Sequence, residues 1–428
     1  SIKHAFFPQC LKYSKVLPVH KKNSGDSYSN YRPISIIPTL SKILEKLLHK
    51  QLTEFAYSKD LLCSSQFGFR AKRSTTLAIQ ELITYISEGF EEKMYIGVAF
   101  WDLSRAFDYV DHNLLLSKLI EIGITDQSLT LLESYLLDRY QVTVYNSATS
   151  TPCKIAYGVP QGSILGPLLF LIYVNNLPAD VDVKMILYAD DTTLLLKDDE
   201  PNKLVDRLNS AQTKVADWFL KNGLFLNKDK TASMIFSTKT ITSENLENIK
   251  FLGVIVDSKL SWDAHVDAVC RKLNKTIYLL RKIGRQVPIT ITKLVYYSLF
   301  ESHYAYAILA WGHTAHLCRI FKLQRKAVRI ILNLNYQADV RHFFPELNIL
   351  TVPASYVYQC LIHTKKCLDN YTKISDRHLY NTRSGNGIYL IISEYIKAVI
   401  QLITTALNTL TAYLAISQHF RSHSLGTL

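Results

Sequence analysis

Two adjacent acids between two apolar runs constrain this chain more than any other feature. Residues 183–188 (VKMILY) and 192–196 (TTLLL) flank Ala189-Asp190-Asp191. Short apolar runs split by a few polar residues read as a β-hairpin. Asn-Gly or Asp-Gly is the ordinary tip of such a hairpin. Neighbouring carboxylates repel each other and lose solvent on folding, so this turn is costly unless positive charge sits beside it. A second apolar run, residues 94–101 (MYIGVAFW), suits a buried strand and also closes on an acid, Asp102. Mg²⁺ takes carboxylate oxygens and leaves room for water and phosphate, which fits acids at strand ends. Two such ions activate a hydroxyl and neutralise leaving pyrophosphate in in-line phosphoryl transfer. The competing reading is a plain solvent-exposed turn.

Around these runs, residues 41–48, 75–89, 114–122, 164–174 and 202–222 carry helical patterns, with Gly123 a stop signal. Residues 140–145, 233–236 and 251–257 read as strands, and most of the chain after Ala264 reads as helix. The fold expected is α+β, an antiparallel sheet with helices followed by a helical C-terminal part. With 48% hydrophobic and 20% charged residues over 428 positions, the chain can bury a large core. Seven scattered cysteines without a C-x-x-C argue against a disulfide scaffold and for a reducing compartment. The net charge of +13 points to a polyanionic partner. Most of that charge sits in residues 271–341, where 13 Lys/Arg face only Glu301 and Asp339. Within this segment Lys322, Arg325, Lys326 and Arg329 share one helical face. A merely solvated helix tends to mix both signs, so the imbalance favours a binding surface.

Seven short strings in order then carry a resemblance. They are Asn30-Tyr31-Arg32-Pro33-Ile34-Ser35, Gln66-Phe67-Gly68-Phe69-Arg70, the segment from Phe100 to Asp108 (FWDLSRAFD), and Gly158-Val159-Pro160-Gln161-Gly162-Ser163. Tyr188-Ala189-Asp190-Asp191, Asn227-Lys228-Asp229-Lys230-Thr231 and Phe251-Leu252-Gly253-Val254 complete the set. Together they resemble reverse transcriptases of non-LTR, LINE-type retrotransposons, nearest the jockey-like groups. The resemblance implies a right-hand polymerase: fingers in residues 1–93, a palm with an antiparallel sheet in 94–258, a basic helical thumb in 259–340, and a helical C-terminal extension in 341–428. It implies RNA-directed DNA polymerase activity, with two Mg²⁺ ions (Mn²⁺ as substitute) held by Asp102, Asp190 and Asp191. Asp102 and Asp190 would be the principal ligands, and Asp108 a supporting acid. Lys230 would protonate pyrophosphate.

Under the same resemblance, Phe107 falls at the sugar gate that favours deoxynucleotides, against plain core packing as its alternative. Gln161 and Gly162 would approach the new base pair. Arg32 and Arg70, with Lys21 and Lys22, would hold the triphosphate. Tyr188, with a Phe251-Leu252-Gly253 primer grip and the basic thumb face at Lys322, Arg325, Lys326 and Arg329, would contact template and primer. Thumb contacts of this kind follow phosphates and weaken with salt. The partners implied are an RNA template, a DNA primer and dNTPs, with endonuclease activity supplied by another part of a longer product or in trans. A nuclear or cytoplasmic setting follows. The rival readings are a decayed remnant that only binds nucleic acid, and an RNA-directed RNA polymerase, against which Phe107 stands.

Six features depart from the pattern or need a separate reading. Trp101 stands where Leu is usual and Asn176 where Asp is usual; the stretch 388–428 leaves the family tail. The chain opens at Ser1 with no charged segment leading an apolar core, so no signal peptide is expected and the sequence reads as part of a longer product. Residues 398–416 lack charge but hold Gln401, Asn408 and several Thr, which favours a buried or surface helix over a membrane span. His313 and His316 near Cys318 are expected as packing or surface residues, not zinc ligands.

Overall fold

The computed structural model describes residues 2–20, 30–227, 231–239, 246–284 and 286–366. The chain divides into two compact units, Ser1–Glu247 and Asn248–Leu428.

In the first unit the strands are β1 (Tyr13–His20), β2 (Tyr31–Ile36), β3 (Tyr95–Trp101), β4 (Arg139–Tyr145), β5 (Ala148–Thr149), β6 (Cys153–Ile155), β7 (Lys184–Tyr188), β8 (Asp191–Asp198) and β9 (Ala232–Phe236). Its helices are α1 (Thr39–Ser58), α2 (Thr75–Glu91), α3 (His112–Glu121), α4 (Asp126–Leu136), α5 (Leu165–Tyr173), α6 (Leu177–Val181) and α7 (Pro201–Lys221).

The antiparallel sheet β7-β8-β3-β9 is the centre of this unit. Strand β3 is buried at every position after Tyr95, which is why it reads as one apolar run and not as an alternation. Both of its faces are covered. Helix α2 meets Ile96 at Gly89, while α7 meets the next residue, Gly97, through Leu204 and Leu208. Neighbouring strand residues point to opposite faces, so α2 and α7 lie on opposite sides. Helix α5 (LGPLLFLIY) is buried along nearly its whole length, as an all-apolar helix must be.

A second sheet runs β2-β1-β4-β5, with β6 also on β4 and with β1 parallel to β4. Neither β1 nor β2 was expected from the sequence. Pro18 and Pro33 interrupt them, and β2 tolerates its proline as an edge strand.

The second unit holds β10 (Asn248–Phe251), β11 (Val254–Asp257), α8 (Asp263–Ile283), α9 (Ile289–Val295), a π-helical turn (Tyr296–Glu301), α10 (Ser302–Ala305), α11 (Ile308–Trp311), α12 (Leu317–Ile331), α13 (Phe343–Glu346) and α14 (Val352–Lys366). The single strand expected over 251–257 is instead an antiparallel hairpin pairing Phe251 with Val254. Leu252 (φ +42°) and Gly253 (φ +93°) form the turn that breaks it. Helix α12 buries Ile320, Gln324, Ala327, Val328 and Ile331 and packs on α8 and α14. Among the described residues no helix is long and apolar enough to cross a membrane. Residues 388–428 and the uncharged stretch 398–416 lie outside them.

Candidate active site

The hairpin β7–β8 pairs Tyr188 with Asp191, which leaves Ala189-Asp190 as a two-residue turn. Ala189 takes φ +56°. A side chain in the left-handed region costs about 1 kcal/mol, which glycine would avoid. Across the next strand Trp101 pairs with Thr192. Asp102 directly follows this last pair, and Asp191 directly precedes it on the neighbouring strand. Asp102, Asp190 and Asp191 are all half-buried at this end of the sheet. The carbonyl of Asp102 accepts from the Asn227 amide at 2.9 Å, and Leu103 bridges Leu226. The chain entering residues 228–230 is therefore laid beside Asp102. Lys230 itself, like Lys21 and Lys22, lies outside the described residues. Among the described residues no three His, Cys, Asp or Glu side chains gather closely enough to hold an ion unaided.

The Gln66–Arg70 segment is built onto this turn. Gln66 bridges Leu187, the Phe67 amide donates to the Leu187 carbonyl at 2.7 Å, and the Leu187 amide donates to Ser65 at 2.9 Å. Gln66 is 2% exposed. Its Oε1 accepts from the amides of Gly68 (2.8 Å) and Ala189 (3.2 Å). A Cβ on Gly68 would press into the Ala189 nitrogen, so only glycine allows this approach. Arg70 donates from Nη1 to the carbonyls of Leu62 (3.3 Å) and Cys63 (2.5 Å), which ties down the start of the segment. Phe69, φ +52° and 58% exposed, meets the Phe107 ring edge-on at 6.2 Å. Phe107 also packs on Phe170 at 4.7 Å and stays half-buried, so its ring is fixed from two sides with one face open.

The Gly158–Ser163 loop is fastened at both ends. A Cβ on Gly158 (φ +85°) would lie 2.7 Å from the Asp108 carbonyl oxygen, and one on Gly162 (φ +113°) 2.8 Å from that of Ser35. The Gln161 carbonyl accepts from the Ser35 amide at 2.8 Å, and its Nε2 donates to Asp108 Oδ1 at 2.8 Å. Burial pushes the Asp108 carboxyl above its usual range, against the pull of the Gln161 amide and Arg105. Glu45, fully buried on α1, anchors the far end. Its carboxylate accepts from the amides of Ile164 (2.8 Å) and Leu165 (3.4 Å) and from the Ser41 hydroxyl (3.1 Å). An anion there satisfies the first amides of α5 and its positive dipole end. Arg32 is exposed on β2 opposite Val19. Its strand neighbours Tyr31 and Pro33 line a cavity of about 470 Å³ together with Arg105 and Tyr145, which leaves Arg32 on the opposite face of β2.

In the second unit the Leu252-Gly253 turn is gripped by Tyr306, whose hydroxyl donates to the Leu252 carbonyl at 2.5 Å. Buried His265 accepts the Ile255 amide on Nδ1 at 3.3 Å, between the rings of Trp262 and Trp311. Burial pushes its pKa down to about 4, so the acceptor nitrogen stays unprotonated near neutrality. On α12, Lys322 is exposed and Arg325, Lys326 and Arg329 are half-buried. His316 pairs with Asp263 at 3.1 Å.

The profile described as reverse transcriptase (RNA-dependent DNA polymerase) matches residues 19–256. The chain belongs to the reverse transcriptase family. It is 32% identical over 374 residues to the probable RNA-directed DNA polymerase from transposon BS of Drosophila melanogaster, covering 81% of this chain and 41% of that protein. It is 26% identical over 373 residues to the RNA-directed DNA polymerase from mobile element jockey of the same species, covering 80% and 40%. The chain thus spans about two fifths of the length of these relatives. A solved telomerase from Candida albicans, in complex with a fragment of telomeric RNA, aligns over 80% of this chain and 66% of its own with TM-score 0.48 and 13% identity.

Trp101 and Asn176 have local physical consequences in this chain. Trp101 is buried against Phe219, and among the described residues its indole N–H has no partner. Asn176 accepts from Lys118 at 3.0 Å and donates to Asp180 at 2.7 Å. An Asp there would accept but could not donate. Burial lowers the Lys118 pKa to about 8.

Proposed function

We propose that this chain is an RNA-directed DNA polymerase that extends a DNA 3′-hydroxyl on an RNA template, using deoxynucleoside triphosphates. The reading is carried by one observation. Asp102 and the Ala189-Asp190-Asp191 turn end neighbouring strands of a single sheet, and Gln66 is clamped on that turn. Membership of the reverse transcriptase family and relatives named as RNA-directed DNA polymerases support it.

Carboxylate oxygens with no nitrogen or sulfur ligand would suit Mg²⁺, with Mn²⁺ as substitute. Mg²⁺ usually binds through one or two carboxylates plus substrate phosphates, so a partial protein site is the arrangement that fits. Bound there, the metal would supply Lewis-acid activation of the primer hydroxyl and charge neutralisation on pyrophosphate. Asp102 and Asp190 are the principal ligands in this reading, with Asp191 the third carboxylate. Tyr188 and the Phe251-Leu252-Gly253 turn, held by Tyr306 and His265, act on the primer strand. Phe107, wedged between Phe69 and Phe170, crowds a ribose 2′-hydroxyl. Gln161 and Gly162 seat the incoming nucleotide, while Arg32 and Lys230 serve its phosphates. Arg70 reaches them only with the part of its guanidinium not spent on Cys63. The basic face of α12 follows the template–primer backbone. In domain terms, residues 1–93 act as fingers, 94–258 as palm and 259–340 as thumb. The endonuclease activity belongs elsewhere in a longer product or in trans, and the setting is nuclear or cytoplasmic.

The test is extension of oligo(dT) on poly(rA) by the purified chain with Mg²⁺. Incorporation of dTTP in preference to UTP supports the reading. Preference for UTP would make the chain an RNA polymerase, and no incorporation at all would leave only a nucleic-acid-binding remnant.

A further inference from the structure

In the second unit the C-terminal ends of α8 and α12 meet at a cleft of about 230 Å³. Arg281 from the last turn of α8, Lys326 and Arg329 from α12, and Asn333 and Tyr336 from the loop that follows form its wall, and no acid lines it. Cations often do no more than complement helix C-termini. Each such end carries about half a negative charge, so two supply about −1 against three full positive charges, leaving about +2. The ion pairs of this unit among the described residues are His316–Asp263, Arg319–Asp267 and Arg341–Asp339, none of which involves the cleft. Arg329 is held in position because its Nε donates to the Ala338 carbonyl at 2.9 Å. The cleft therefore holds a preset positive charge that the fold itself leaves unbalanced.

Size and shape narrow the ligand. The cleft falls below the roughly 300 Å³ at which pockets for drug-sized ligands begin, and suits one phosphate with part of its sugar. At its rim Tyr336 is 78% exposed, the most exposed large apolar side chain among the described residues. A base stacks on such a ring at little cost in sequence preference, because every base has a π-face. The bases of a duplex are already stacked on one another and cannot reach a lone tyrosine. A single strand can supply both the phosphate and a free base.

We propose that this cleft binds one phosphate of a single-stranded nucleic acid, with the adjoining base stacked on Tyr336. The inference rests on the nucleic-acid reading above; Lys326 and Arg329 are shared with the basic face of α12, whereas Arg281 and Tyr336 belong to the cleft alone.

Equilibrium anisotropy with the full chain tests it, using fluorescein-labelled oligo(rU) and a blunt RNA–DNA duplex of equal length. Tyr336→Ala weakens oligo(rU) binding about 5- to 150-fold and duplex binding less than twofold; Tyr336→Phe keeps the wild-type value. Arg281→Gln lowers the salt slope for oligo(rU) by about one and leaves that for the duplex unchanged. Equal loss of both probes in Tyr336→Ala, or oligo(rU) binding within twofold of wild type, overturns the proposal. The readout is binding, so a chain that selects oligo(rU) through Tyr336 yet extends no primer refutes the polymerase reading and leaves this site standing.

Discussion

Replacing Gln66 with Ala should loosen the turn that carries Asp190 without touching a carboxylate. Gln66 Oε1 accepts from Gly68 at 2.8 Å and from Ala189 at 3.2 Å. Each bond contributes about 1 kcal/mol net, and the Ala189 amide, at a residue 9% exposed, is left buried and unpaired at a further cost of about 1–3 kcal/mol. Part of this is returned, because the Gln66 Nε2 is itself buried with no partner among the described residues. A net loss of about 2 kcal/mol follows, or about 4–8 °C in the melting temperature of a unit of this size. The catalytic effect should be larger. Ala189 sits at φ +56°, and the bond to Gln66 helps hold it there. Displacement of reacting groups by about 1 Å costs on the order of 10²-fold in rate. Single-nucleotide extension should therefore fall about 10- to 100-fold, with template–primer affinity unchanged. A variant that melts lower yet extends at the wild-type rate would refute a positioning role for Gln66.

Three further outcomes follow from the geometry. Phe107→Ala should raise ribonucleotide incorporation relative to deoxynucleotide at least tenfold in a competition assay; an unchanged ratio would make the ring a packing residue. Gly162→Ala forces a side chain at φ +113° into the Ser35 carbonyl, and should cost about 2 kcal/mol in denaturant unfolding and raise the KM for dNTP. His265 should make the helical unit acid-sensitive. Its pKa is about 4 folded against 6.5 unfolded, so the unfolded state binds the proton first. Its stabilisation is complete above pH 6.5 and is lost as pH falls toward 4, by about 3 kcal/mol. His265→Gln should flatten that dependence in unfolding curves taken across this window.

The sheet was legible because its strands are buried on both faces, and burial leaves an uninterrupted apolar run in β3, β7 and β8. Strands β1 and β2 escaped notice because each carries a proline and much of their surface faces solvent. The acids could be singled out because charge at the end of an apolar strand demands a reason. The residues that hold them could not. Gln66 reads as a polar loop residue and Glu45 as the solvent side of an amphipathic helix. Their partners at Ala189 and Ile164 lie more than a hundred positions away. Hydrogen bonds to backbone amides at such separation leave no periodicity, since any segment offers an N–H. The Leu252-Gly253 hairpin is implied by the resemblance to a primer grip, whereas the apolar pattern of residues 251–257 alone reads as one strand.

The measurement closest to the central claim is primer extension by wild type and Asp190→Asn at matched protein concentration across a Mg²⁺ titration, with melting curves of both. Wild type should extend in proportion to bound metal, and the variant should fold normally and extend at least a thousandfold more slowly at every Mg²⁺ concentration. Equal extension by a folded Asp190→Asn protein would contradict the assignment of that carboxylate to the metal site.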